Sequence, residues 1–392
     1  CACHCSSLHT WELHVKGRRH VRNALGLQTS DTTEQNTAVR PVKHSLAKVD
    51  AAILDFHKRK LVPEPSQALT LASVVQHVMT ALTNLSQQGA RDTLAPRDIT
   101  ELKLIGRYAQ GTMSRDSLRA VLAVILRESL PPTKSRVQCI AEFIQTHFTA
   151  AVTNQGLGNF LVHVDQSQLR IIVSATVKQD AALVGAVTGV NAETASVNTA
   201  TVHVEVPVTF LKAWSYTESV SADEYCEIST CRAHLMAIRQ HIWFETYLLN
   251  NNNFTFSVIS PRVLLRTLLH VRDHTVELSA VSDWVLQVVV YNAVYRRTQP
   301  VHDVSSIAWA LLTVWQYLAA GMLYPVNRIV DPCTDPAQLL SAALSRDQQR
   351  IVAQSALNVL GQLSEDNEDI DCWSKTLHGT LVAVEPVNIV AK

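Results

Sequence analysis

LKLIGRYAQGTMSRDSLRAVLAVILR, residues 102–127, is the stretch that determines the fold of this chain. Apolar and branched residues run up to Gly106 and resume at Leu118, which predicts one strand at 99–108 and another at 118–126. Gly106 and Gly111 lie between the two runs and predict glycine turns, because glycine adopts backbone conformations that other residues avoid. The stretch therefore predicts the order strand, glycine turn, glycine turn, strand.

The elements around this stretch predict an α+β fold. A helix is expected from Ser66 to Gln88, and the chain continues after the stretch with a helix at 134–148 and strands at 160–164, 169–177 and 201–210. Alternation within 201–210, TVHVEVPVTF, predicts that one face of that strand is buried. From Cys226 onward the pattern is helical, with helices predicted at 226–248, 261–270, 282–296, 305–323 and 345–363. Strands followed by helices indicate a mixed-sheet domain and then an all-helical domain.

Composition indicates a packed chain with a basic N-terminal arm. Of 392 residues, 47% are apolar and 17% are charged, which argues against extensive disorder. The formal net charge is zero, yet residues 1–60 carry ten Lys or Arg against five Asp or Glu. We expect a polyanionic partner to meet this arm first. The scattered cysteines do not form a disulfide framework and favour a reducing compartment. A chain that starts at Cys1 is expected to be a fragment.

The run 304–327 contains no charged residue and is long enough to span a bilayer. Thr313, Gln316 and Gly321 interrupt it, and it has no basic flank. We therefore expect a helix buried on both sides and no membrane contact. Such a helix implies a broad apolar interface, which can include another subunit.

Cysteine and histidine residues near the N-terminus predict a zinc finger. His14 and His20 are separated by five residues, within the range for zinc fingers. The segment looks like a U1-type (matrin-type) Cys2His2 finger, although only eight residues separate Cys5 from His14, where about twelve is usual. We predict zinc as the cofactor, with Cys1, Cys5, His14 and His20 as ligands and Cys3 as the rival cysteine. A truncated finger that binds no metal is the alternative.

Four basic residues follow or lie between the histidines of this finger. They belong to the predicted finger helix and are expected to contact nucleic-acid phosphates: Lys16, Arg18, Arg19 and Arg22. The resemblance to U1-type fingers implies a preference for the A-form shape of duplex RNA.

The predicted strand 118–126 carries no carboxylate. The order strand, glycine turn, glycine turn, strand resembles the start of a nucleotidyltransferase active site. Phosphoryl transfer by such enzymes needs acidic side chains that hold divalent metal ions. Their acid-any-acid pair would fall near Leu118 and Ala120. Gly106 is followed by Arg107 rather than by serine. Gly106, Arg107 and Gly111 are therefore interpreted as a degenerate nucleotide-site loop, and no catalytic residue is assigned.

Two acids remain as candidates near this predicted site. Asp116 is expected to be a solvated turn residue, and Glu205 is expected to be a solvent-facing residue of its strand. One acid cannot assemble two metal ions. The alternative is a working nucleotidyltransferase that recruits metal through Asp116 and Glu205.

Four pieces of sequence resemble the DZF domain, the domain associated with zinc fingers, and occur in its order. They are GRYAQGTM (106–113), AHLMAIRQHIWFE (233–245), LAAGMLYPVNRIVDPC (318–333) and LSRDQQ (344–349). The resemblance covers roughly residues 45–364. The order of a finger followed by the domain resembles the layout of the zinc-finger RNA-binding protein branch of the family. The chain is also similar to the interleukin enhancer-binding factors.

The resemblance implies a pseudo-nucleotidyltransferase that pairs with another DZF-domain protein, a heterodimer being favoured over a homodimer. Trp309, Trp315 and Tyr317 are interface candidates, because aromatic residues concentrate in interface cores; the alternative is that they lie in the core of the chain itself. The family further implies double-stranded or structured RNA as a partner, a role in RNA processing, and a nuclear location with shuttling to the cytoplasm. A finger-based DNA-binding regulator is a further alternative.

The predicted division of the chain has five parts. They are the finger (1–23), a linker rich in Thr, Gln, Asn and Ser (24–45), the nucleotidyltransferase-like half of the DZF domain (46–225), its helical half (226–364) and a C-terminal tail (365–392).

Overall fold

The computed structural model describes residues 45–87, 99–127, 134–155, 159–178, 199–210, 213, 222–249, 260–295, 306–334 and 336–365. These residues form two compact units. The sheet unit is Val62–Ile242, and the helical unit combines residues up to Leu61 with residues from Trp243 onward. The predicted finger, linker and tail lie outside the described residues, apart from Ser45 of the linker and Glu365 of the tail.

The strands are β1 (Ile99–Ile105), β2 (Arg119–Leu126), β3 (Asn159–Asp165), β4 (Arg170–Lys178) and β5 (Thr199–Phe210). The α-helices are α1 (Ser45–Phe56), α2 (Pro65–Gln87), α3 (Gly106–Gln110), α4 (Lys134–Gln155), α5 (Ala222–Phe244), α6 (Pro261–His274), α7 (Asp283–Val290), α8 (Ile307–Ala319) and α9 (Arg346–Glu365). A π-helical turn extends α1 at His57–Leu61, α5 at Glu245–Leu249 and α7 at Tyr291–Tyr295. The 3-10 helices are Gln166–Gln168, Val276–Leu278, Pro325–Asn327 and Leu340–Ala343.

The sheet has five strands in the order β1-β2-β5-β4-β3. β2 and β5 are parallel, and the other neighbouring strands are antiparallel. Helix α2 packs on β2 and β5, and α4 packs on β3 and β4. The face under these helices is apolar because every second residue of each strand points to it; on β5 these residues are fully buried: Val202, Val204, Val206 and Val208. This face forms the core of the sheet unit.

The predicted α+β architecture is confirmed, and most predicted elements lie within a few residues of the observed ones. The predicted strand 99–108 was wrong in its last three residues. β1 ends at Ile105, because Gly106 has φ +71° and the chain then forms the single helical turn α3. The predicted helix 134–148 continues to Gln155.

In the helical unit, α8 packs against α1, α6, α7 and α9. Its N-terminus is fixed by α1, because the Asp50 carboxylate accepts hydrogen bonds from the Ser306 hydroxyl at 2.8 Å and from the Ala308 N–H at 2.9 Å. A carboxylate at this end also interacts favourably with the helix dipole. α8 occupies only thirteen residues of the uncharged run 304–327, about 20 Å and too short to cross a bilayer. The expectation that this run forms a buried helix is confirmed for Ile307–Ala319, where nine residues are buried.

One described helix, α2, is long and apolar enough to cross a membrane by length and composition alone. Its buried residues pack on the sheet, and a core helix of this kind passes the same test of length and composition. This observation is therefore weak support for a membrane span.

The two units do not coincide with the predicted halves 46–225 and 226–364. α1 and its π-helical turn cluster with the helical unit, because α1 packs on α8 and the π-helical turn packs on α6. Most of α5 clusters with the sheet unit, and the boundary between the units falls at Ile242 within this helix. Sequence order alone does not show that an N-terminal helix completes a C-terminal unit.

Gly321 ends α8, and its replacement tests this turn. Its φ is +77°, and a Cβ at this position would overlap the ring of Tyr324. We expect Gly321→Ala to lower the free energy of unfolding by about 2 kcal/mol or more, through backbone strain and steric overlap. Urea unfolding followed by circular dichroism measures the change.

Gly361 is the matched control for this substitution. It lies in α9 of the same unit, and a Cβ there would meet nothing within 4 Å. Gly361→Ala should stabilise by up to about 1 kcal/mol, because alanine favours helix over glycine. Equal effects of the two substitutions would contradict the assigned role of Gly321.

Burial of His57 predicts a pH dependence of the helical unit. Its Nε2 atom accepts a hydrogen bond from Arg266 Nη1 at 2.8 Å. Desolvation by burial, helped by the Arg266 charge, lowers the pKa of His57 from 6.5 to about 4. The unfolded chain therefore binds a proton between pH 6.5 and pH 4 that the folded chain does not bind, so stability should fall as pH drops through this window. We expect a loss of about 2–3 kcal/mol between pH 7.5 and pH 4.5 from this residue.

Urea midpoints at the two pH values measure this effect, with His57→Gln as the comparison. Glutamine keeps an acceptor for Arg266 and cannot take up the proton, so the variant should lose less stability on acidification. Parallel pH profiles for the variant and the parent would count against this role of His57.

Candidate functional site

The second face of the sheet is polar. Paired residues of neighbouring strands point to the same side, so the register places Arg119 beside His203, Val121 beside Glu205, and Ile172 on the other side of Glu205. Arg170 lies on this same face, two residues from Ile172. The polar face is thus built from β2, β5, β4 and β3, on the opposite side of the sheet from α2 and α4.

Glu205 is held between two arginines. Arg119 of β2 forms an ion pair with its carboxylate, and Arg170 Nη1 of β4 lies 3.4 Å from Oε2. The side chain of Glu205 is only 13% exposed. The expectation of a solvent-facing glutamate was wrong, because both flanking strands direct a guanidinium group onto this one carboxylate. Asp116, by contrast, is an exposed turn residue as expected.

The charge pairing continues to β3. Arg170 also contacts the Asp165 carboxylate, with Nη2 at 3.0 Å and Nε at 3.1 Å from Oδ2. The Ser167 hydroxyl donates to Asp165 Oδ1 at 2.7 Å. This hydrogen bond and the contact with Arg170 lower the pKa of Asp165, although partial burial opposes the shift. The result is a chain of alternating charges, Arg119–Glu205–Arg170–Asp165, whose members neutralise one another.

The glycine loop forms a closed helical turn. Gly106 and Gly111 both have positive φ, and α3 lies between them. The Gly111 N–H donates to the Tyr108 carbonyl at 3.1 Å, and the Thr112 N–H donates to the Arg107 carbonyl at 2.9 Å. A phosphate-cradling turn needs backbone N–H groups that point at the ligand. Two such groups at the end of this loop already have acceptors within the loop.

Two of the sequence pieces that resemble the DZF domain meet in the helical unit. Trp243, from the piece 233–245, packs edge-on against Trp284 with ring centroids 5.1 Å apart. The Trp284 indole N–H donates to Asp331 Oδ2 at 2.9 Å, and Asp331 Oδ1 accepts from the Cys333 N–H at 2.8 Å. Asp331 and Cys333 belong to the piece 318–333. The pieces are therefore connected through an indole ring and a carboxylate.

Residues 260–366 match the family model of the DZF C-terminal domain. The chain carries the C-terminal domain of the DZF family. The resemblance predicted from the four sequence pieces is thereby confirmed. Three of the residues just described lie inside the matched range: Trp284, Asp331 and Cys333.

Solved structures show what this chain resembles in fold. Escherichia coli MS115-1 CdnC, in its complex with HORMA-deltaN, superposes with a TM-score of 0.52 at 12% identity, covering 85% of this chain and 97% of that one. Vibrio cholerae DncV cyclic AMP-GMP synthase, in complex with a linear intermediate, gives a TM-score of 0.43 at 12% identity, over 92% and 88% of the two chains. The predicted fold, a nucleotidyltransferase-like mixed-sheet domain followed by a helical domain, is confirmed by the CdnC match.

The DZF helical unit contains a cavity of about 470 Å³ beside the tryptophan cluster. Trp243, Tyr247 and Tyr291 form one wall, with ring centroids 5.1 to 6.2 Å apart. Arg328 and Val330 also line the cavity. Because the three rings contact one another, they form a continuous aromatic cluster. Neither the cavity nor this wall was predicted from the sequence.

The predicted site residues are placed differently by the structure. Trp315 and Tyr317 are 3% and 2% exposed and lie within the core of the helical unit, whereas Trp309 is partly exposed. Their role in an interface stays a prediction, and Trp309 is the one of the three that presents surface. The remaining predicted residues, which are the zinc ligands and the basic finger residues, lie outside the described residues: Cys1, Cys5, His14, His20, Lys16, Arg18, Arg19 and Arg22.

The bond between Trp284 and Asp331 can be tested by a double-mutant cycle. Trp284→Phe removes the indole donor, and Asp331→Asn removes the charge of the acceptor. Each should lower the free energy of unfolding by about 1–2 kcal/mol, and the pair should couple by about 1 kcal/mol because the hydrogen bond is charge-assisted. Urea unfolding of the four proteins measures the coupling.

Trp243→Phe provides the control for this cycle. It removes an indole from the same aromatic cluster, yet it leaves the bond from Trp284 to Asp331 in place. The effects of Trp243→Phe and Asp331→Asn should therefore add. Additive effects of Trp284→Phe and Asp331→Asn would contradict the assigned bond.

Proposed function

We propose that this DZF chain is a non-catalytic scaffold. In this proposal it pairs with another DZF protein, a heterodimer being favoured, and it contacts structured RNA through its finger and basic arm in the nucleus. The body of the chain is then a pseudo-nucleotidyltransferase, a fold that keeps the sheet of an enzyme and uses it as a platform. The fold by itself does not decide the activity, so the proposal depends on the polar face of the sheet.

The pairing of Glu205 with two arginines is the observation that carries this proposal. A nucleotidyltransferase of this fold would need magnesium held by several carboxylate oxygens. The residues here do not fit such an ion. β2, RAVLAVIL, has no carboxylate. Glu205, on the neighbouring strand β5, is neutralised by Arg119 and Arg170. A divalent cation would have to displace a guanidinium group and would meet the positive charge of the other.

The glycine loop gives independent support. The N–H groups of Gly111 and Thr112 are bonded to carbonyl groups of their own turn. A triphosphate at this loop would have to compete with those bonds. Arg107, at the position where serine is expected in active enzymes, leaves the loop without the hydroxyl donor.

The partner and RNA contacts follow from the DZF domain and from the charge of the N-terminal arm. Exposed apolar residues in the helical unit supply surface that a second DZF chain can bury: Tyr247, Val276, Val326, Val330 and Ile351. For the finger, we propose zinc held by Cys1, Cys5, His14 and His20. A zinc ion is bound well by such sulfur and nitrogen ligands, and the basic residues of the finger can then contact RNA phosphates.

Calorimetric titration with ATP and magnesium tests the non-catalytic part of this proposal. The parent chain is expected to show no magnesium-dependent heat, because the Glu205 carboxylate is engaged by arginines. Glu205→Gln and the control Glu101→Gln, an exposed carboxylate on the polar face of β1, should both behave like the parent. Magnesium-dependent binding that Glu205→Gln abolishes and Glu101→Gln preserves would favour the working enzyme instead.

The scaffold part is tested by light scattering after size-exclusion chromatography. The full chain is measured alone, with a second DZF chain, and with a short RNA duplex at several salt concentrations. We expect a complex with the DZF chain and RNA binding that weakens as salt rises, because the release of counterions that drives binding to phosphates becomes less favourable at higher salt. A chain that stays monomeric with every DZF chain tried would overturn the pairing.

A further inference from the structure

A basic surface in the helical unit combines the last three cations of the basic stretch 1–60 with two arginines of α6. We define it by five residues on two adjacent elements. Lys58, Arg59 and Lys60 belong to the π-helical turn after α1, and Arg262 and Arg266 belong to the first two turns of α6. The segments 57–61 and 261–266, HKRKL and PRVLLR, contain these five cations and no acidic residue.

The two elements are held together by contacts beneath this surface. His57 is buried and accepts the hydrogen bond from Arg266 at 2.8 Å. Phe56 packs against His270 of α6 with ring centroids 5.6 Å apart. These contacts fix the π-helical turn against α6, so the basic side chains of the two elements share one region of the surface.

The side chains that matter for a ligand are exposed. Lys58, Arg59, Lys60 and Arg262 are all exposed, and Arg266 is partly buried. Arg262 and Arg266 are one helical turn apart, a spacing at which like charges repel. Burial and the charge of Arg262 together lower the pKa of Arg266. The surface thus concentrates positive charge at a cost to the stability of the isolated chain, which an anionic ligand would offset.

Some acids lie near this surface but do not remove its positive charge. Asp55 forms an ion pair with Arg59. Asp273, two turns further along α6, forms an ion pair with Arg272, which also contacts Asp283. Asp55 thus offsets one of the five cations, and the ion pairs of Asp273 and Asp283 are made with Arg272, which is not part of the surface.

We propose that this basic surface binds the phosphate backbone of duplex RNA, as a second contact beside the finger arm. This inference rests on the RNA-binding part of the proposed function. Flexible lysines act as point charges, and a guanidinium group can donate two parallel hydrogen bonds to phosphate oxygens, so the set suits a regular row of phosphates. An RNA duplex offers such a row without needing a particular sequence.

The position of the surface along the chain favours RNA over an acidic protein. α1 has twelve residues, which corresponds to a length of about 18 Å. The predicted finger and linker end where α1 begins, so the surface lies at the other end of this short helix. RNA held by the finger would be at high effective concentration near the surface, and two weak contacts would then act together.

The test measures binding of a fluorescent RNA duplex by anisotropy between about 50 and 200 mM salt. The variant is the full chain with Lys58→Gln, Lys60→Gln and Arg262→Gln, which removes three exposed charges and leaves the pair His57–Arg266 intact. Each lost phosphate contact should reduce the slope of log affinity against log salt by about one. We expect the slope to fall by about two to three and the affinity to fall at least tenfold at the lowest salt.

The matched control carries the same change of charge elsewhere, with Lys134→Gln, Arg346→Gln and Arg350→Gln. All three residues are exposed on α4 and α9, and their replacement should leave the slope at the parent value. Urea midpoints of both triple variants verify that folding is unchanged. An equal loss of slope in variant and control would mean that only the net charge matters, and it would overturn the proposed surface.

A third protein separates failure of this inference from failure of the proposed function. It carries Lys16→Gln, Arg18→Gln, Arg19→Gln and Arg22→Gln in the finger. If the parent binds no duplex, RNA binding itself is overturned. If the finger variant weakens binding while the basic-surface variant keeps the parent slope, only the second contact is overturned. A basic-surface variant that loses a DZF partner and keeps its RNA slope would assign the surface to an acidic protein instead.

Discussion

The alternation of side chains along β5 is the constraint on which the sheet unit depends. Four valines at even positions from 202 to 208 are completely buried under α2, while His203 and Glu205 point to the opposite face. A shift of the strand by one residue would place the Glu205 carboxylate in the apolar core and expose the valines, and both changes are unfavourable. The buried face therefore fixes the register, and the register fixes which charged groups of β2, β5 and β4 meet on the other face.

The charged groups on the polar face of the sheet determine the chemistry that the fold can perform. An enzyme with this sheet uses carboxylates to gather positive metal ions. In this chain the positive groups are the guanidinium groups of Arg119 and Arg170, which are covalently attached and permanently charged. A single carboxylate between two such groups is already neutralised, and partial burial strengthens the attraction. The charged groups of the described polar face are thus paired with one another, which is the observation behind the proposed non-catalytic role.

The sequence predicted the elements well because their signals are local. The valine alternation, the absence of acids in 118–126 and the helical spacing after Cys226 can all be read from short windows. The pairing of Arg119 with Glu205 could not be predicted, because it depends on the parallel register between strands that are more than seventy residues apart along the chain. The turn α3 was missed because one turn of helix has too few residues for periodicity to show. The assignment of α1 to the helical unit was missed for a related reason: its partners α6 and α8 are distant in sequence.

The sequence pieces typical of the DZF family turn out to serve packing in the parts of the chain that the structure describes. Trp243 packs against another indole, Asp331 accepts a hydrogen bond, and Gly321 forms a turn with positive φ, all within the helical unit. Residues that make such internal contacts stabilise the fold, and few of their side-chain groups can contact a partner. Residues that recognise an RNA or a protein must then come from outside these pieces, where exposure and charge can vary without loss of the fold. The lysines after His57 and the arginines that begin α6 are charged and largely exposed. A buried contact between His57 and Arg266 supports them.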